Sequence, residues 1–166
     1  MPCVKATTKA GVRWGRVYTR PILDSGGTLL GLGNSVSVTL SHEGIEAFVD
    51  PDVNLWSEGA RRTLWSYAAC DPVEGSSYGV RSMGQVVGVS NFVLPAWFDI
   101  EHRQRERFDF LGELGRPFEV QPDGYAIYRQ GTRTLTRWGA RYDAERRKAK
   151  RRAKSVQLAR SVRRYG

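Results

Sequence analysis

The stretch that decides the fold runs from residue 36 to residue 74. It opens on Val36-Ser37-Val38-Thr39-Leu40 and passes straight into Ser41-His42-Glu43-Gly44-Ile45-Glu46-Ala47-Phe48-Val49-Asp50-Pro51. It closes on Tyr67-Ala68-Ala69-Cys70-Asp71-Pro72-Val73-Glu74. Ser41 is a favoured N-cap residue, so the spacing predicts a helix from His42 to about Val49. Pro51 stops it. Residues 36–40 alternate as a short strand would, or form the first turn of that helix. On the helix His42, Glu46 and Val49/Asp50 share one face, because residues four apart are neighbours. Gly44 weakens it by about 1 kcal/mol relative to Ala.

The chain has only two histidines. His42 is followed at once by Glu43 and, three residues later, by Glu46. Zinc peptidases use a helix that presents two ligands at i and i+4, with a glutamate beside the first as general base for the attacking water. His42 and Glu46 fill the ligand positions here, and Glu43 the base. Asp50 is the local candidate for a third ligand; Asp71 and Glu74 are the distant ones. A set this rich in carboxylates also suits a metal harder than zinc. The pentad alone is a weak signal, and a histidine satisfied in the core between two solvated glutamates is its ordinary alternative.

Around this stretch the pattern is mixed. Residues 15–23 alternate with β-branched and aromatic side chains and predict a strand, with Pro21 at its edge or end. Asp24-Ser25-Gly26-Gly27 is a turn. Residues 52–58 read as an irregular loop and 61–69 as a strand. Residues 84–93 read as the second limb of a hairpin turning near 82–84, and 94–99 as an aromatic loop. Residues 101–107 form a charged short helix or surface loop. Short strands follow at 118–120, 124–129 and 132–138. Residues 141 to about 164 lack Pro and Gly and predict a helix. The expected fold is α+β: a small mixed or antiparallel sheet on the His-Glu-x-x-Glu helix. It divides into an extended arm (1–13), a body (14–140) and a basic tail (141–166).

The net charge of +9 lies entirely in that tail. Residues 141–166 hold eleven Lys/Arg and two acids; residues 1–140 hold fifteen of each. Such a block marks an interaction tail for nucleic acid or an acidic surface. Its candidate contacts are Arg146, Arg147, Lys148, Lys150, Arg151, Arg152, Lys154, Arg160, Arg163 and Arg164. No apolar run is long enough to span a membrane, and Met1-Pro2-Cys3-Val4-Lys5 lacks an apolar signal region. Cys3 and Cys70 form no disulfide framework. No glycine-rich phosphate loop is present. Cys70 with His102 offers a thiol–imidazole pairing in principle, with nothing to fix the two together. The five tryptophans are spread along the chain, as core and interface packing requires.

Several segments occur in an order that resembles a zincin-like protein family found in bacteriophage and bacterial genomes. They are Gly15-Arg16-Val17-Tyr18, Ser37 through Glu43, Asp50-Pro51-Asp52-Val53-Asn54, Cys70-Asp71-Pro72-Val73-Glu74, Val89 through Phe98, and Pro117-Phe118-Glu119 through Ile127. The resemblance covers roughly residues 14–148. It implies a metallopeptidase-like fold with zinc as the possible cofactor. It also implies a place in a virion, assembled in the host cytoplasm among other virion proteins, with the tail on packaged DNA. Three departures stand out. Ala68 occupies a position where the family carries a glutamate, Gly44 replaces a larger apolar residue, and the N-terminal half is short. They imply a degenerate scaffold: a structural component of the head, neck or tail rather than an enzyme. An active metal-dependent peptidase and a sequence-independent nucleic-acid binder are the alternatives.

Overall fold

A computed structural model describes residues 7–9, 12–103 and 105–165, with side chains over 15–103 and 105–153. The fold is α+β, and its sheets are antiparallel. Strands β1 (Thr7–Lys9) and β2 (Val12–Trp14) pair as a small ladder, so the expected arm carries paired strands. Residues 1–6, 10 and 11 of that arm lie outside the described residues.

The strand expected over residues 15–23 is instead a short helix, α1 (Thr19–Asp24). Pro21 is compatible with it because the first helical turn has no intrahelical partner for that N–H. The central helix α2 runs Val36–Val49 and starts six residues before the position expected from Ser41. Ser35 is the true cap: its Oγ accepts the Val38 N–H at 3.2 Å. Ser41 has another task. Its Oγ donates to the Val38 carbonyl and accepts the Ser90 N–H at 2.9 Å, tying the helix to the neighbouring hairpin. The alternation of residues 36–40 is thus the start of the helix, and β-branching alone did not make it a strand.

Strands β3 (Trp56–Gly59), β4 (Thr63–Ser66), β7 (Tyr125–Gln130) and β8 (Arg133–Trp138) form one sheet in the order β3-β4-β7-β8. Strands β5 (Ser77–Ser82) and β6 (Gln85–Ser90) form a separate hairpin turned at Met83-Gly84, against which α2 packs. Trp56 belongs to an edge strand rather than a loop, and the 3-10 turn Ala60–Arg62 links it to β4. No strand forms at 118–120, where Phe118 turns the backbone left-handed at φ 55°. Residues 94–99 include a 3-10 turn, Pro95–Phe98, and residues 101–107 form no described helix. The tail is helix α3 (Ala140–Tyr165).

The core lies on one face of the four-stranded sheet. Trp65 stacks on Phe118 at 5.1 Å, tilts on Tyr128 at 5.0 Å and meets the fully buried Trp97 edge-on at 6.2 Å. Truncating such a ring to Ala costs about 3–5 kcal/mol. Below it, Asn91 and Asp109 are buried as a hydrogen-bonded pair at 2.8 Å, and Asp109 also takes the Leu114 N–H. Two contacts then bring β7 onto the turn that carries Asp71. Gln121 N–H donates to the Pro72 carbonyl at 2.9 Å, and a Cβ on Gly124 would run into that same carbonyl. Glycine there sets how closely Tyr125 can approach Asp71.

Candidate metal centre

The other sheet face and α2 enclose a cleft of about 630 Å3. His42, Glu43 and Glu46 project into it from α2. Asp71 and Glu74 enter from the 3-10 turn Asp71–Val73 and the residue after it, and Tyr125 from β7. Pro72 opens that turn, and its fixed φ suits the first helical positions. The helix spacing puts His42 and Glu46 side by side. The turn delivers Asp71 across from them, 29 residues after His42.

The geometry is tight. His42 Nε2 lies 3.3 Å from Asp71 Oδ1 and 3.6 Å from Glu46 Oε1. One ligand atom from each of the three residues falls within 4.8 Å of the others. All are largely removed from solvent, with side-chain exposures of 12% for His42, 23% for Glu46 and 8% for Asp71. Metal–ligand bonds of 2.0–2.2 Å in a tetrahedron separate neighbouring ligand atoms by about 3.3–3.6 Å. An N–H···O hydrogen bond prefers 2.9–3.0 Å. Both separations match edges of such a shell, and the 3.3 Å contact also lies within reach of a hydrogen bond between the imidazole and Asp71.

The electrostatics agree. Burial opposes charge on His42. The hydrogen bond that the imidazole donates to Asp71 and the charges of Glu46, Asp71 and Glu43 outweigh it, raising the imidazole from 6.5 to about 9. Burial, then the Asp71 charge, pushes the Glu46 carboxyl well above its usual range, against the pull of His42. Burial and Asp71 raise Glu74 to about 7. Glu74 Oε2 is buried without a hydrogen-bond partner among the described residues. One imidazole thus faces three enclosed carboxylates. A divalent cation would offset that excess negative charge, so the residues present fit a metal.

Neighbouring groups hold the cluster in place. The Cys70 N–H donates to Glu46 Oε1 at 3.1 Å. The Tyr125 hydroxyl is engaged with Asp71, and burial together with that carboxylate raises its pKa. The Cys70 thiol is fully buried beside the cluster, and desolvation raises its pKa too. It is packing material, not a nucleophile. His102 sits elsewhere, edge-on to Phe108 at 4.9 Å.

Of the expected ligands, the fold brings His42, Glu46 and Asp71 together and sets Glu74 at the same cleft. Asp50 is diverted. It is the C-cap of α2, and its two carboxylate oxygens accept the N–H groups of Asn54 at 3.1 Å and Leu55 at 3.0 Å. Helix spacing put it on the ligand face, but α2 ends at Val49 and Asp50 leaves the helical path (φ −134°, ψ 73°). Ala68, where the resemblance implied a glutamate, lines the cleft. Tyr125 is the participant that sequence reading missed; it looked like one more apolar strand residue.

The basic residues singled out in the tail lie on α3. Arg146 covers the Trp138 ring at 4.2 Å, and Arg147 pairs with Asp143 at 2.5 Å. Lys148, Lys150, Arg151 and Arg152 are exposed. The side chains of Lys154, Arg160, Arg163 and Arg164 lie outside the described residues. Among the described residues, no helix is long and apolar enough to cross a membrane. Compared with known proteins, the chain matches no family model, no curated protein and no solved structure.

Proposed function

We propose that the chain is a metal-dependent hydrolase of the peptidase class. His42, Glu46 and Asp71 hold the ion, and Glu43 manages the proton. The observation that carries this reading is the spacing of His42 Nε2 from Asp71 and Glu46, 3.3 and 3.6 Å, at the wall of an open cleft. Asp71 offers a third donor beside His42 and Glu46, which favours this reading over the degenerate scaffold that Ala68, Gly44 and the short N-terminal half implied. When bound, a divalent ion lowers the pKa of water and polarises a carbonyl.

The remaining tasks fall to the chain itself. Glu43 follows the first ligand and lines the cleft. It takes the proton of the attacking water and passes it to the leaving amine. The Tyr125 hydroxyl fixes which way the Asp71 carboxylate points. Ser66, Ser76 and Ser77 line the cleft and offer hydroxyls to a peptide backbone. With one imidazole and at least two carboxylates, the donor set accepts manganese as well as zinc.

Metal analysis of the purified chain tests the reading, alongside His42→Ala and Asp71→Asn. One ion per chain is expected, lost in both variants. Absence of stoichiometric binding after loading with zinc or manganese would overturn it.

A second reading concerns α3. Its exposed Lys148, Lys150, Arg151 and Arg152 support a docking arm for DNA, the partner that fits the virion setting implied by the family resemblance. Binding of duplex DNA that persists after removal of residues 146–166, or that ignores salt, would exclude it.

A further inference from the structure

The opposite face of the four-stranded sheet carries a second cleft, of about 890 Å3. Directly opposed residues in an antiparallel ladder share a face. Trp65 opposes Tyr128, Thr63 opposes Gln130, and Ala126 opposes Arg137. That face looks away from Tyr125 and Ile127, which line the metal cleft. The 3-10 turn Ala60–Arg62 and residues 116–120 form its walls.

Three features set it apart. The first is charge. Arg61, Arg116 and Arg137 line the cleft against a single acid, Glu119, whose Oε2 is occupied by the Gly115 N–H at 2.8 Å. Arg137 is fixed, with its guanidinium 4.5 Å over the Trp65 ring and one N–H on the Phe118 carbonyl at 3.0 Å. Arg61 and Arg116 form no ion pair among the described residues.

The second is backbone strain. Arg61 at φ 57° and Phe118 at φ 55°, both lining the cleft, hold a left-handed conformation, and Arg62 next to Arg61 does so at φ 57°. Bulky side chains avoid that region, and such residues cluster at ligand clamps. The third is His102. It lines the cleft, and its Nδ1 is buried with no hydrogen-bond partner among the described residues. Trp65 is already packed against Phe118, Tyr128 and Arg137, so it has no face left for a stacked base. Recognition rests on charge above an apolar wall.

We propose that this cleft binds a small organic anion, a carboxylate or phosphate carried on an apolar body. Arg61 and Arg116 grip the anionic group. Arg137 presents a fixed positive edge, and His102 forms part of the wall. An anion is held best where cations are preorganised and water is partly excluded. The proposal does not depend on the metal-centre reading, because the two clefts lie on opposite sheet faces.

Calorimetric titration of the full chain with phenyl phosphate and with phthalate tests it. The protein is first freed of metal and then of chelator, so that neither probe coordinates an ion in the other cleft. At least one probe is expected to bind in the millimolar range or tighter, and the tighter one identifies phosphate or carboxylate chemistry. The double variant Arg61→Gly/Arg116→Ala should weaken that binding at least tenfold. Glycine at 61 accepts the left-handed backbone, so the fold is kept. His42→Ala should leave the affinity unchanged. Absence of binding by both probes, equal binding by the double variant, or loss of binding in a His42→Ala chain that still shows a cooperative melt would each overturn the proposal.

Discussion

In the proposed metal centre protons and metal compete for the same site, and the slope of that competition follows from the titration of His42. In the metal-free protein His42 titrates at about 9, so at neutral pH its imidazole carries a proton that a metal ion must displace. Affinity should therefore rise about tenfold per pH unit between pH 6 and 8, or about a hundredfold across that window. Glu46, also raised, steepens the slope toward the acid end. The metal-free fold moves the other way. His42 has a higher pKa folded than unfolded, so its contribution is fully present below pH 6.5 and lost as pH rises through 9. Its full size is about 3 kcal/mol. Ligand binding to the native state adds stability as RT ln(1 + [L]/Kd). Thermal melts with and without saturating zinc at pH 6, 7 and 8 should show a gap in Tm that widens with pH. Direct competition titrations give the slope itself. A gap that stays constant, or an affinity independent of pH over that window, would refute the proton–metal exchange and with it His42 as a ligand.

Other perturbations separate the roles. Glu43→Gln should lower any peptidase activity by about a hundredfold or more while metal stoichiometry, read by elemental analysis, stays at that of the wild type. Glu74→Gln removes a carboxyl whose pKa is raised from 4.5 to about 7, a cost complete above pH 7; urea melts at pH 8 should show the metal-free protein stabilised by up to about 3 kcal/mol. Asp50→Ala leaves two backbone N–H groups without their carboxylate; about 2 kcal/mol of stability should be lost in the same melts with metal affinity intact. Gly44→Ala places a methyl group in open space on an exposed helix position and should raise stability by about 1 kcal/mol, whereas Gly139→Ala drives a Cβ into the Gln121 carbonyl and should destabilise strongly.

Much of the candidate site was legible because helix periodicity is local. Residues 42, 43 and 46 follow from a 3.6-residue repeat, whichever residue caps the helix. Asp71 and Glu74 were legible only as types. What made Asp71 a partner and Asp50 a cap was the path of the chain after Val49, and no spacing rule carries that. The strand misread at residues 15–23 and the unrecognised edge strand at Trp56 have one cause. Short segments take their conformation from what packs on them, and α1 buries only Ile22.

The sequence by itself determined an α+β chain with a His-Glu-x-x-Glu helix, a hairpin turning near residues 82–84, short strands at 124–129 and 132–138, and a basic C-terminal helix. Each of these rests on periodicity, turn chemistry or composition within a few residues. Only the tertiary structure decided which carboxylates meet His42, which face of the sheet carries the cleft they line, and that a second, cationic cleft lies behind it. Those facts depend on contacts between segments far apart in the chain. The approach of Gly124 to the Pro72 carbonyl is one such contact, and it is set by close packing rather than by local propensity.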